Sequence, residues 1–136
     1  MDAKDAKRKV REDFRFLFDT SSVLGVLLYG SMAKGESNER SDIDICVVAP
    51  SAINKIEFSR WIMSNVRDKR YDVRVFEFMP LYLKMEVVEH GDVVYARDIY
   101  ELYEYFYTFR KFWDDQKQRQ GLSTEEALEL FTQPFS

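Results

Sequence analysis

An α/β domain of the α+β kind, with a small mixed sheet flanked by helices, is the architecture the sequence predicts. Three observations predict it. At 136 residues the chain has the size of one ordinary domain. With 46% apolar and 15% aromatic residues it can close a core, despite the charge it carries. Short aliphatic runs bounded by turn residues alternate with stretches whose apolar residues recur at helical spacing.

Val10, Phe14, Leu17 and Phe18 repeat at three- and four-residue intervals and predict a first helix ending near Thr20-Ser21-Ser22. Val23–Tyr29 is an aliphatic run closed by Gly30-Ser31, the pattern of a buried strand. Met32–Gly35 predicts a single helical turn, and the polar stretch Glu36–Ser41 an exposed loop. Ile43, Ile45 and Val47 alternate with Asp42, Asp44 and Cys46 until Pro50 ends the run, so a second strand begins with two acids. Phe58, Trp61, Ile62 and Val66 predict a helix over Asn54–Asn65, and Tyr71–Phe78 reads as a third strand. Pro80 opens a helix through about Glu89, Gly91 caps it, and Val93–Tyr95 is a short fourth strand. Asp98 and Glu101 form a capping box for a long helix toward Gly121, built on Ile99, Leu102, Phe106, Phe109 and Trp113. Tyr100, Tyr103, Tyr105, Tyr107 and Phe112 spread aromatic surface around it; such a helix is more often core than interface, but the breadth of its apolar coverage leaves a docking face for a homo- or hetero-oligomer open over 99–113. Ser123 and Glu126 predict a last short helix carrying Leu128, Leu130 and Phe131. The chain reads as one domain over 1–136, with a core of about 10–98 and a helical extension over about 98–136.

Composition narrows the chemistry. Twenty basic against twenty-four acidic residues give a net charge of -4, so no general nucleic-acid binding is expected. One cysteine, Cys46, and one histidine, His90, cannot build a zinc site; Cys46 reads as a buried filler and His90 as a helix-end residue. With no apolar run long enough to cross a bilayer and a charged N-terminal stretch, a cytoplasmic protein without membrane contact is expected.

The informative constellation is Gly30-Ser31, ten residues, then Asp42-Ile43-Asp44. Average residue usage produces it by accident in on the order of one such chain in five hundred. Alternation along a strand puts Asp42 and Asp44 on one face, roughly 7 Å apart. Two carboxylates side by side repel, whereas Mg²⁺ takes a few carboxylate oxygens together with phosphate oxygens and water. Glycine lets backbone approach a triphosphate, and N–H groups with the Ser31 hydroxyl can bind its oxygens. Pairing of the second and third strands would add Asp72, giving the three acids of a two-metal displacement with the ions roughly 4 Å apart. Glu77 is the rival third acid, but it lies an odd number of positions from Asp72 and is expected to face oppositely. A phosphate loop spanning Gly30 and Gly35 fails on charge, because Glu36-Ser37 stands where a cation is needed. Lys34 and Arg74, the latter on Asp72's face of its strand, read equally well as phosphate neutralisers and as ordinary ion-pair partners.

These residues resemble the minimal nucleotidyltransferases (MNT) of the DNA polymerase β-like superfamily. The resemblance runs over roughly Val23–Asp98 and is carried by Gly30-Ser31, the spacer, Asp42-Ile43-Asp44 and Asp72. It implies the polymerase β-like fold, ATP with Mg²⁺ as nucleotide donor, and transfer of AMP to an acceptor hydroxyl. It implies that Gly30 and Ser31 bind the triphosphate and that Asp42, Asp44 and Asp72 bind two metal ions as the catalytic acids. It also implies a partner: similar proteins are antitoxins that AMPylate a tyrosine of a HEPN-domain toxin. Within these 136 residues no added lobes of the kind with which larger relatives grip a nucleic-acid primer or an antibiotic are expected, which argues against those substrates. Two other readings stand beside this one, a non-catalytic antitoxin that blocks its toxin by occlusion and an adenylyltransferase acting on a small molecule.

Overall fold

Helix α1 (Ala3–Asp13) starts earlier than the apolar spacing alone predicts, because the Asp2 side chain caps it by accepting the Asp5 N–H at 2.8 Å. It stops at Asp13, and a 3-10 turn (Arg15–Leu17) carries Leu17 into the core in place of a continued helix. The computed structural model describes residues 2–33 and 42–120. The expected loop Glu36–Ser41, Lys34, Gly35 and the expected helix after Ser123 lie outside those residues.

The remaining elements are β1 (Gly25–Tyr29), the single turn α2 (Gly30–Ala33), β2 (Ile43–Val48), α3 (Lys55–Asn65), β3 (Tyr71–Val75), α4 (Leu81–His90), β4 (Asp92–Ala96) and α5 (Ile99–Gln120). They build one four-stranded sheet in the order β3-β2-β1-β4. β1 is antiparallel to both its neighbours, while β2 and β3, joined by the α3 crossover, run parallel, so the sheet is mixed.

Alternation along the strands divides the core in two. Val26 and Leu28 of β1 and Ile43, Ile45 and Val47 of β2 pack on Val10, Phe14, Leu17 and Ile62, the face covered by α1 and α3. Leu27, Tyr29, Cys46 and Val48 point the other way, against Phe76, Met85, Leu102, Phe106 and Trp113 under α4 and α5. Each fully buried Leu, Ile or Phe contributes roughly 1.5–3 kcal/mol, so both helical layers are needed to hold so small a sheet. Cys46 is fully buried, as expected of a filler.

Two other sequence expectations need correction. The third strand ends at Val75 rather than Phe78, and Phe76–Phe78 form a 3-10 turn. Gly91 caps α4 as expected, in extended backbone, its N–H donating to the Val87 carbonyl at 2.8 Å. Asp98 accepts the N–H groups of Tyr100 and Glu101, but Glu101 does not reach back to complete the box; its carboxylate pairs with Arg97 at 2.9 Å. The long aromatic helix splits by face: Leu102, Phe106 and Trp113 are buried, whereas Tyr100, Tyr103, Tyr107 and Phe112 are exposed.

Candidate active site

The C-terminal end of β1 meets the N-terminal ends of β2 and β3. There the register sets Tyr29 opposite Asp44 and Asp44 opposite Asp72, forming one row across three strands. Their neighbours in sequence pack on the α1 face, so the row projects from the α4 and α5 face. Asp42 is exposed and lies immediately before β2, in step with Asp44. Two of the three acids expected to converge thus stand on directly paired backbone positions, with the third beside them.

Gly30 fits this corner for a steric reason. Its φ of 74° is a left-handed conformation that favours glycine, and a Cβ there would stand 2.4 Å from Asp44 Oδ2. The Asp44 carboxylate therefore lies flush against the Gly30 backbone. Ser31 follows in α2 and is half-buried.

Electrostatics at the row run against charge. Burial pushes the Asp44 carboxyl above the usual carboxylate range, the charges of Asp72 and Asp42 push it further, and only Arg74 opposes them. The Tyr29 phenol is likewise pushed up, first by burial and then by the neighbouring Asp44 charge. Arg74 shares Asp72's face, and its Nε lies 3.8 Å from Asp72 Oδ2.

Among the described residues, no three acidic, histidine or cysteine side chains already converge as a metal-binding cluster. Asp72 leans toward Arg74, and Asp42 faces solvent. The donor set nonetheless fits a hard divalent cation: three carboxylates at adjoining positions, one pressed into a glycine corner and held there against its own repulsion.

Glu77, the rival acid, is occupied elsewhere. The 3-10 turn swings it to the α5 side, where it accepts the Ala49 N–H at 3.0 Å and the Tyr105 hydroxyl at 2.9 Å, at the far end of β2. Strand parity gave the wrong direction because the strand had already ended. Sequence reasoning missed Tyr29 as a member of the row; its position immediately before the glycine was the available signal.

A family model described as a nucleotidyltransferase domain matches residues 7–94. The chain belongs to this nucleotidyltransferase family. Among curated proteins the nucleotidyltransferase is similar to a Methanocaldococcus jannaschii protein provisionally named a protein adenylyltransferase, with 44% identity over 99 residues, 73% of this chain and 76% of the relative. Among solved structures it is similar to a toxin-antitoxin complex with AMP-PNP, with a TM-score of 0.62 at 20% identity, covering 85% of this chain and 92% of the other. It also resembles a chain from the complex of a tri-AMPylated Shewanella oneidensis HEPN toxin with an MNT antitoxin, with a TM-score of 0.59 at 16% identity, covering 88% and 92%. At such identities the likeness is one of fold. Among the described residues of the nucleotidyltransferase, no helix is long and apolar enough to cross a membrane.

Proposed function

We propose that this nucleotidyltransferase transfers AMP from Mg-ATP to a hydroxyl, a tyrosine by preference, of a HEPN-domain protein and so serves as its antitoxin, residues 1–136 working as one unit in the cytoplasm. The observation that carries the reading is the Gly30–Asp44–Asp72 corner: a left-handed glycine packed against a carboxylate that is in register with a second. The relative named for protein adenylyl transfer and the toxin-antitoxin complexes of the same fold supply the acceptor class.

In this reading Gly30 and Ser31 take the triphosphate, Asp42 and Asp44 would hold Mg²⁺, and Asp72 stands at the attacking side. The acceptor oxygen attacks the α-phosphorus in line, the bond from that phosphorus to the bridging oxygen of the β-phosphate breaks, and pyrophosphate leaves. Bound Mg²⁺ would lower the pKa of the acceptor hydroxyl and offset the charge gathered on pyrophosphate. Asp72, which faces the same side as Asp44, accepts or relays the hydroxyl proton. Tyr29 walls the row on the β1 side with a phenol that stays neutral.

The exposed Tyr100, Tyr103, Tyr107 and Phe112 of α5 favour a second reading, in which docking alone silences the partner. Mass spectrometry of a co-encoded HEPN-domain protein incubated with the chain and Mg-ATP separates the two. Gains in AMP units that vanish with Asp42→Asn, while the complex still forms, support transfer. Full neutralisation of the partner by Asp42→Asn, with no gain in mass under any condition, supports occlusion.

A further inference from the structure

The start of β3 is held from the other side of the sheet. Lys9 Nζ donates to Asp13 Oδ2 at 2.7 Å and to the Tyr71 hydroxyl at 3.2 Å, and lies 2.8 Å from Asp68 Oδ2. The Tyr71 hydroxyl in turn donates to Asp13 Oδ2 at 2.5 Å, and the ammonium stands 4.7 Å from the Tyr71 ring centroid. Lys9 and Asp13 sit one turn apart on α1, Asp68 lies in the turn before β3, and Tyr71 is the first residue of β3. Asp68 Oδ1 also accepts the Arg70 N–H at 2.9 Å, and the Arg70 carbonyl accepts the Ile43 N–H at 2.8 Å. The cluster therefore ties α1, the turn and the first rung of β2 with β3 into one unit.

Burial pulls the Lys9 ammonium down, yet its bonds to Asp13, Asp68 and Tyr71 outweigh that and hold it above the usual lysine range. A partly solvated charged cluster of this kind adds only modest net stability. What it supplies is a defined position. A one-residue slip of β3 would turn Tyr71 away from α1 and Asp72 away from Asp44, because strand side chains alternate. Only one register lets the Tyr71 hydroxyl reach Asp13.

We propose that Lys9, with Asp13, Asp68 and Tyr71, is a positioning cluster for catalysis: it fixes the register of β3 so that Asp72 stands beside Asp44. The inference rests on the role given to Asp72 above. The structure also contains its own control, because Lys7 of the same helix pairs with Asp92 at 3.0 Å and ties α1 to β4, the opposite edge of the sheet.

The test is steady-state transfer from α-labelled ATP to the HEPN-domain partner by the full chain, at a temperature where every variant is folded by circular dichroism. Lys9→Met is expected to lower kcat about tenfold and leave KM for Mg-ATP within about twofold, because the triphosphate corner at Gly30 is untouched. Lys9→Arg should restore most of kcat, and Lys7→Met should match the wild type. In an Asp72→Glu background, Lys9→Met should add less than about twofold, since the group it positions is already displaced. Should Lys9→Met fail to fold, Tyr71→Phe keeps the ring and removes only the hydroxyl, with a loss in kcat of about threefold expected. Equal kcat for the Lys7→Met and Lys9→Met variants, or a full Lys9→Met effect on top of Asp72→Glu, overturns the inference. Wild-type transfer by Asp72→Asn instead removes the proposed role of Asp72, and with it the reading on which the cluster depends.

Discussion

Replacing Gly30 with alanine tests the corner on which the proposed chemistry stands. The new Cβ would meet Asp44 Oδ2 at 2.4 Å, where ordinary contact begins at 3.4 Å, so the carboxylate must retreat by about 1 Å. Holding a non-glycine residue at φ 74° costs roughly 1–2 kcal/mol. Turning Asp44 off its rotamer costs about 0.5–1.5 kcal/mol more. The smaller conformational freedom of alanine in the unfolded chain offsets roughly 0.5–1 kcal/mol. The net destabilisation is about 0.5–3 kcal/mol, a fall in Tm of roughly 2–12 °C for a domain of this size. Activity should suffer more than stability, because a displacement of this order at a reacting centre costs about a hundredfold. Gly91→Ala is the control for lost stability: its Cβ would meet the Val87 backbone carbonyl at 2.4 Å, a clash that only a backbone shift relieves, away from the carboxylate row. Differential scanning calorimetry and transfer from α-labelled ATP, run on both variants, give the comparison. Transfer by Gly30→Ala as rapid as by Gly91→Ala, at similar Tm, would refute the reasoning.

Asp44→Asn should abolish transfer yet raise Tm at pH 7 in the absence of divalent ions by about 2 °C, from roughly 0.5 kcal/mol of relieved repulsion in a partly solvated site. Because the folded-state pKa of Asp44 is raised, its charge costs stability above that pKa; the advantage of asparagine should shrink as pH falls and Asp44 takes up a proton. Asp13 and Asp68 carry the opposite sign: Lys9 holds both below the usual range, so the stability they add is present above about pH 4 and is lost as acid protonates them, an effect that Lys9→Met should flatten in a pH series of urea unfolding curves. Tyr105→Phe removes the 2.9 Å bond to Glu77 and should cost about 1–2 kcal/mol in the same assay, with transfer unchanged. Leu102→Ala empties a fully buried position between α5 and β1 and should cost about 2–5 kcal/mol.

Much of this molecule is legible in its residues because its strands obey a period of two. Ile43, Ile45 and Val47 alternating with Asp42, Asp44 and Cys46 give the strand, its two faces and the side on which the acids stand, and the register that pairs Asp44 with Asp72 agrees with the expected pairing of β2 with β3. Where local geometry departs from that period, the reading fails. Phe76–Phe78 looks like strand because its aromatic residues have β propensity, but the chain turns there, and Glu77 is drawn to the Ala49 N–H and the Tyr105 hydroxyl. No local pattern announces that pull, since Tyr105 belongs to another element. The Lys9 cluster is hidden for the same reason: the pair Lys9–Asp13 is visible at helical spacing, but its continuation to Asp68 and Tyr71 exists only once α1 lies across the sheet. Tyr29 looks like the last apolar residue of a strand until the antiparallel register sets it opposite Asp44.

The parallel pairing of β2 and β3 has an evolutionary consequence. Two strands that run the same way bring their first residues to one end, so the whole α3 connection loops out from the opposite end and returns without crossing the carboxylate row. Insertions in the turn around Ser51–Asn54 lengthen a loop at modest entropic cost and leave Asp44 and Asp72 on a common rung. A lineage can therefore remodel that remote rim, adding lobes or recognition loops there, while the carboxylate row stays where it is.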